Sequence, residues 1–269
     1  MGWFADDRVT PRRIGVLLAV GLLAACAPRF TAPAAEPAEI AAARQTVAEA
    51  GRPIATARSP EDAAAILATV AARVGAAAGP LCAAHLRAGC GLAVVLDPDL
   101  AVSAALDGAQ VRVSLGMMRL LATEDEVAAV VGHEYGHRIA EHVSRRRLRG
   151  AAAGTAAGTV LSAAVPFGGV AAFLLGQGAA ELGAAGARQA FSQAEEREAD
   201  YLAAYLVARA GYDLDRAGMV WVRLTRDPGE TAGWLSTHPG GPERLAAWRR
   251  AAAEVRDSPN LAPRLAAGS

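Results

Sequence analysis

The sequence predicts an α+β fold that is mostly helical and contains a small sheet. Two observations predict it: several long segments repeat apolar residues at helical spacing, and only two short segments have the pattern of strands. Hydrophobic residues make up 53% of the 269-residue chain, which is enough for a packed core. The formal net charge is zero, which argues against the basic excess of a nucleic-acid-binding protein, so no nucleic acid is expected as a partner.

The N-terminus predicts a signal peptide in residues 1–25. Arginines precede an uncharged run, residues 14–25, that is too short to span a bilayer but suits a signal segment. The run ends in Leu-Ala-Ala-Cys, which resembles the lipobox of bacterial lipoproteins, so we expect Cys26 to be lipidated. The alternatives are a plain secretory signal, or a short anchor with an incidental cysteine. Residues 26–38, rich in Pro and Ala, then form a tether.

The predicted folded domain covers residues 39–256, and residues 257–269 form a tail that we expect to be frayed. Thr123 and Glu126 are spaced as a capping box, which marks the start of a long helix. Apolar spacing predicts helices at 39–50, 60–78, 123–149, 189–210, 213–226 and 242–256, and strands at 92–96 and 111–114.

Two features of the domain leave alternatives open. Residues 150–180 hold no charged side chain and many Gly and Ala, which indicates a packed or mobile hairpin, or else a segment that contacts a membrane. Cys82 and Cys90 are close in sequence, and in an exported chain this spacing favours a disulfide. Two free buried thiols are the alternative.

Residues 133–137 read His-Glu-Tyr-Gly-His, an H-E-x-x-H pattern on the helix that starts near Thr123. Residues four apart share one face of a helix, so His133 and His137 can bind one zinc ion together. Glu134 stands beside them, within reach of the water that such an ion activates, and is the candidate general base.

A third ligand is expected in the acidic segment at residues 195–200. Glu196 and Asp200 are four apart, so Glu196 can bind the zinc while Asp200 accepts a hydrogen bond from a ligand histidine. Spacing alone does not exclude Glu195 or Glu198. His142 misses the longer pattern H-E-x-x-H-x-x-G-x-x-H by one residue, about 100° of helix rotation, so we expect a structural or solvent-facing role for it.

Together these motifs resemble the HtpX, CAAX prenyl protease and BepA-like zinc metallopeptidases, which form peptidase family M48, a gluzincin group. The resemblance covers roughly residues 92–250 and implies a zincin-type fold with one Zn²⁺ per chain. The segment Ser-Thr-His-Pro-Gly-Gly-Pro-Glu-Arg resembles another element of the family, which implies that His238 and Arg244 lie near the zinc. His238 would stabilise the oxyanion of the reaction, or alternatively cap the zinc in a latent state.

The resemblance implies an endopeptidase that acts on proteins or peptides, and its periplasmic lipoprotein branch implies quality control of unfolded envelope proteins. Ala27 after the lipidated cysteine is similar to sorting signals for the outer membrane, facing the periplasm. The alternatives are a latent or chaperone-like lipoprotein that binds misfolded envelope proteins, or an integral membrane protease with residues 150–180 inserted. We expect the strand at 111–114 to pair with the substrate. Residues 102–106 depart from the family's Asn-Ala-Phe-Ala stretch, which bears on substrate alignment.

Overall fold

The computed structural model describes residues 28–164 and 190–267, except Pro228, Glu230 and Pro259. The described chain forms a mostly helical α+β fold with one small sheet, which confirms the predicted class. The elements are α1 (Pro37–Glu49), α2 (Pro60–His85), β1 (Ala93–Asp97), β2 (Ala104–Asp107), β3 (Gln110–Ser114), α3 (Leu115–Leu120), α4 (Glu124–Ile139), α5 (His142–Ala164), α6 (Gln193–Arg209), α7 (Leu214–Arg226), α8 (Ala232–Leu235) and α9 (Pro242–Asp257).

The chain divides into two compact units. One contains Pro28–Val143 and Gln189–Ser269, and it holds the sheet and every described helix except most of α5. The other contains Met1–Ala27 and Ser144–Arg188, and its described part is helix α5. The predicted signal peptide, the lipidation site Cys26 and residues 165–180 of the glycine-rich segment lie outside the described residues.

The sheet has the strand order β1-β3-β2, with β1 parallel and β2 antiparallel to the central β3. In β3, Val111 and Val113 are buried and Arg112 is exposed, whereas Ser114 at the end of the strand is fully buried. The prediction that this strand pairs with a peptide is wrong, because both of its edges are already paired. A period-two pattern shows which face of a strand is buried but not which edge is free.

Helix α4 is the centre of the larger unit. It contacts α2, α6, α7 and β2, and its residues from Val127 to Gly136 are all buried. The predicted capping box is confirmed, since Thr123 accepts a hydrogen bond from the backbone of Glu126 and Glu126 accepts one from the backbone of Thr123. The centre of this unit is therefore a helix buried on all sides.

The predicted continuous helix over 123–149 is wrong, because α4 ends at Ile139. Glu141 has a φ of 55°, which a right-handed helix cannot contain, and α5 begins at His142. A helix stop of this kind is usually marked by Gly or Asn. Glu141 carries no such mark, so the sequence pattern did not indicate the break.

Helix α2 is, among the described helices, the one long and apolar enough to cross a membrane by length and composition. Its N-terminus is capped by Ser59, whose side chain accepts a hydrogen bond from the backbone of Asp62. Leu67, Val70 and Val74 are buried in the core, and the helix packs against α4. One face of α2 therefore belongs to the core of the larger unit.

The two ends of the described chain are paired with each other. The backbone N–H of Thr31 donates to the carbonyl of Arg264, and that of Ala266 donates to the carbonyl of Arg29, each at 2.9 Å. The expectation of a frayed tail is therefore wrong for residues 264–266, because backbone hydrogen bonds hold them. Elsewhere in this unit the sulfur atoms of Cys82 and Cys90 are joined in a disulfide, with their Cα atoms 5.3 Å apart.

Candidate metal centre

Helices α4 and α6 approach each other closely, and this contact places the two halves of the site. A Cβ atom added at Gly136 would lie 2.5 Å from the carbonyl oxygen of Ala199 and 2.9 Å from its Cα. Only a residue without a side chain permits such an approach. As a result His133 and His137 on α4 face Glu196 on α6.

Four buried side chains converge where the helices meet: His133, His137, Glu196 and His238, whose candidate ligand atoms all lie within 4.8 Å of one another. The Nε2 atoms of His133 and His137 are 3.0 Å apart, and Nδ1 of His238 lies 3.3 Å from Nε2 of His133. Oε1 of Glu196 lies 3.3 Å from Nε2 of His137 and 3.1 Å from Nδ1 of His238. Ligand atoms about 2.0–2.1 Å from a tetrahedral metal ion stand about 3.3 Å apart, so the spacing and the donor types are compatible with one metal ion.

The protonation of this cluster also suits a cation. Burial holds the pKa of His137 well below its ordinary value, and the neighbouring His133 adds to the effect, so the imidazole stays neutral. Burial alone would raise the pKa of Glu196. The nearby Arg244, His133 and His238 outweigh burial and hold that pKa well below the usual range. His137 is therefore neutral and Glu196 ionised, the protonation states that metal ligands require.

Asp200 and Arg244 support the cluster from the side of α6 and α9. Nδ1 of His133 donates to Oδ1 of Asp200 at 2.8 Å, which leaves the lone pair of its Nε2 directed into the cluster. The guanidinium of Arg244 donates to both oxygens of Asp200, at 2.8 and 2.6 Å, and lies 2.8 Å from Oε2 of Glu196. It also stacks 3.9 Å above the ring of Trp221.

Glu134 is placed as a proton acceptor. It is 1% exposed, and its Oε1 has no hydrogen-bond partner among the described residues. The same oxygen lies 3.9 Å from Nε2 of His238, whose ring stacks on Trp234 with 4.9 Å between centroids. A buried carboxylate oxygen without a donor is available to a water molecule beside the cluster.

His142 and Glu198 belong to the surroundings of the site, which the sequence did not indicate. His142 is fully buried, and its Nδ1 lies 2.9 Å from Nδ1 of His137, so the solvent-facing alternative is wrong. The rotation argument failed because α4 ends before His142 and the chain turns back at Glu141. Glu198 contacts His142, whereas Glu195 completes the capping box of α6.

Among the described residues, an aromatic side chain covers the cluster. Phe191 stacks on the ring of His137, with 3.9 Å between centroids, and its backbone N–H donates to the carbonyl of Thr237 at 3.1 Å. None of the four clustered residues is more than 2% exposed. The adjoining cavity measures about 40 Å³, which admits water but not a peptide. It is lined by Gln193, Glu196, Arg197, Pro239, Gly240, Glu243 and Arg244.

Comparison with known proteins gives matches centred on the same region. The profile of peptidase family M48 matches residues 93–252, more than half of the chain. The mitochondrial metalloendopeptidase OMA1 of Arabidopsis thaliana is 30% identical over 154 residues, which cover 56% of this chain and 29% of that protein. The protein of the same name from Schizosaccharomyces pombe is 30% identical over 143 residues, 52% of this chain and 40% of its own length. The chain thus spans less than half the length of both relatives.

Proposed function

The chain belongs to peptidase family M48, and from that premise we propose that it is a zinc-dependent endopeptidase. The observation that carries the proposal is the buried cluster of His133, His137, Glu196 and His238 beside the partner-free oxygen of Glu134. Metal-dependent peptide hydrolysis needs three protein ligands, here His133, His137 and Glu196, together with an open position for water and a carboxylate base. His238 would therefore have to leave the cluster for catalysis. Both relatives are named as metalloendopeptidases, which agrees with the proposal.

Each residue of the site has a separate role in the proposed reaction. When bound, zinc acts as a Lewis acid that polarises the scissile carbonyl and lowers the pKa of water. Glu134 accepts a proton from the attacking water and returns it to the leaving amine. His238 donates a hydrogen bond to the oxygen on which negative charge develops, once it has moved away from Glu196. Arg244 and Asp200 hold Glu196 and His133 in place.

A substrate would bind along β2 rather than β3. No described strand pairs with the outer edge of β2, and this strand contacts α4, which bears the H-E-x-x-H residues. A free edge offers backbone N–H and C=O groups to an extended peptide. Residues 102–106, which depart from the family's Asn-Ala-Phe-Ala stretch, run into this strand, so specificity would be set there.

We propose further that the protein is a lipoprotein of the bacterial cell envelope. Support comes from the lipobox before Cys26, and the disulfide between Cys82 and Cys90 suits the oxidising periplasm. The substrates would be unfolded or misassembled envelope proteins, and the lipid would attach the domain to the outer membrane. Labelling with a radioactive fatty acid tests this point: wild type incorporates the label and Cys26→Ser does not.

The experiment that tests the enzymatic proposal compares wild type with Glu134→Gln. Each protein is purified, its bound zinc is measured, and it is incubated with casein as an unfolded substrate. We expect one zinc per chain in both proteins and a loss of cleavage of about 10²-fold or more in Glu134→Gln, because the variant keeps the ligands but lacks the base. Equal cleavage by both proteins would exclude Glu134 as the base.

A latent form of the same site is the second candidate, and the burial of the cluster favours it. In that form His238 would stay within the cluster and hold the site closed until a substrate or partner displaces it. Zinc in both proteins without cleavage by either would indicate this state. His238→Ala would then be expected to gain cleavage. Absence of zinc from both proteins would contradict the metal-site proposal and favour a binding protein.

A further inference from the structure

A series of hydrogen bonds leads away from the metal cluster through His137. Nδ1 of His137 lies 2.9 Å from Nδ1 of His142, and Nε2 of His142 lies 3.0 Å from Oε2 of Glu198. The exposed fraction is 0% for both histidines and 1% for Glu198. Buried polar groups in such a series gain strength from the low local dielectric, so each member depends on the next.

The second carboxylate oxygen of Glu198 extends this series of hydrogen bonds to the N-terminal segment. Its Oε1 accepts the backbone N–H groups of Arg29 at 2.6 Å and of Phe30 at 2.9 Å. The side chain of Phe30 is 1% exposed, and Phe30 pairs with Leu265. The segment is therefore fixed independently of Glu198 and offers it a rigid pair of donors.

The contacts named above agree with one placement of protons between His137 and Glu198. Nε2 of His137 faces the cluster and must keep its lone pair for a cation, so its Nδ1 carries the hydrogen and donates it to His142. Nε2 of His142 then carries the hydrogen that is donated to Glu198. Both oxygens of Glu198 act as acceptors, which agrees with the two backbone N–H groups on its other side.

We propose that His142 and Glu198 are positioning residues of the metal centre, which fix the ring orientation and the proton of His137 and tie it to the backbone of Arg29 and Phe30. The inference rests on the proposed metal-dependent function, in which His137 is a ligand. Each ligand histidine on α4 then has its own support: Asp200 for His133, and the His142–Glu198 pair for His137.

Three variants of the full chain test the proposal: His142→Leu, His142→Gln and Glu198→Gln. Leu cannot accept the hydrogen of His137, and Gln at 198 places an amide donor against either His142 or the backbone N–H groups. We expect both changes to weaken zinc binding about 10–100-fold, the usual effect of losing such a support. His142→Gln should keep most of the affinity, because its oxygen accepts from His137 while its amide donates to Glu198.

The matched control is Glu126→Gln, which alters another carboxylate of 1% exposure at the far end of α4. Zinc dissociation constants come from competition with a chromophoric chelator, and the visible spectrum of the cobalt-substituted protein reports ligand geometry. Glu126→Gln should lower the melting temperature of the metal-free protein but leave the zinc affinity and the cobalt spectrum unchanged. His142→Leu and Glu198→Gln should change both.

Wild-type zinc affinity and an unchanged cobalt spectrum in His142→Leu and Glu198→Gln would overturn the inference and leave the proposed function intact. Should His142→Leu fail to fold, the comparison of Glu198→Gln with Glu126→Gln decides the question on the same two measurements. Absence of zinc from the wild type would instead contradict the proposed function itself.

Discussion

At the scale of single residues, Arg244 matters because it neutralises two buried carboxylates. It contacts both Glu196 and Asp200, and it is 5% exposed, so little water screens these charges. Burial lowers the pKa of Arg244, but Asp200 and Glu196 more than compensate and raise it above its ordinary value. The guanidinium therefore stays charged, and without it two anions would remain buried beside each other.

We expect Arg244→Met to lower the free energy of unfolding of the metal-free protein by about 3–5 kcal/mol, the cost of leaving buried charges unpaired. Saturating zinc should recover part of the loss, because the cation faces Glu196. The control is Arg44→Met at an exposed ion pair with Glu243, which should cost under about 1 kcal/mol. Urea unfolding of wild type and both variants, with and without zinc, measures these losses of unfolding free energy. Equal losses in the two variants would contradict the role of Arg244.

His85, which contacts the N-terminal segment, makes the stability of the protein depend on pH. Burial lowers the pKa of His85 below its ordinary value and the charge of Arg29 lowers it further, while the ring contacts Phe30 edge-on. The folded protein thus binds fewer protons at His85 than the unfolded chain. The contribution of this group to stability is complete above its unfolded pKa of about 6.5 and is lost as the pH falls from there toward the lowered value.

The test of this assignment is a titration of His85 by NMR. Arg29→Gln should raise the pKa of His85 part of the way toward its ordinary value, whereas Arg44→Gln, a distant control, should leave it unchanged. A pKa that does not respond to Arg29→Gln would show that burial acts alone.

The sequence predicted the members of the site that follow helical spacing. His133, His137, Glu196 and Asp200 come in two pairs four residues apart, and a regular helix fixes the direction of such pairs. His142 escaped prediction because its position depends on the helix break at Glu141, and the contacts of Glu198 depend on chain segments far away in sequence. The spacing of residues within one helix predicts neither the helix break nor these contacts.

At the scale of elements, the contact between α4 and α6 determines whether the halves of the site meet. Gly136 lies against the backbone of Ala199, whereas Gly132, one turn earlier, has its nearest neighbour, Ala203, at 3.4 Å from an added Cβ. Both glycines lie on α4 and face α6, but they differ in the space available for a Cβ atom. Substitutions at the two positions can therefore be compared directly.

Gly136→Ala should destabilise the protein by about 1–3 kcal/mol through overpacking, and it should weaken zinc binding because α6 must move away with Glu196. Gly132→Ala should be neutral or stabilising, since alanine favours a helix over glycine by about 1 kcal/mol. Urea unfolding and zinc titration of both variants provide the comparison. Similar behaviour of the two would show that the close approach at Gly136 does not position the site.

The strands show the limit of element prediction. The pattern at residues 111–114 correctly predicted a strand, but strand order depends on pairing with β1 and β2, which sequence periodicity does not encode. The weakly patterned β2 was not predicted at all. It is a short strand that pairs through the turn at Gly108, whose φ of 61° suits glycine.

At the scale of the whole molecule, the N-terminal segment belongs to the folded unit from Arg29 onward. Phe30 is buried between His85 and the C-terminal residues, and its backbone contacts Glu198. If Cys26 carries lipid as proposed, Phe30 stands four positions after the lipidated residue, a reach of at most about 14 Å. The fixed part of the segment would then begin within that distance of the lipid.

Substitution of Phe30 tests whether this segment is structural. Phe30→Ala should lower the free energy of unfolding by about 3–5 kcal/mol, the usual cost of truncating a fully buried phenylalanine, whereas a flexible tether would give no loss. Ile54→Ala is the control, because Ile54 is 85% exposed and its loss should stay within about 0.5 kcal/mol. Urea unfolding of the metal-free proteins measures both. A small effect at both positions would mean that the segment detaches in solution, and then the hydrogen bonds from Arg29 and Phe30 could not support Glu198.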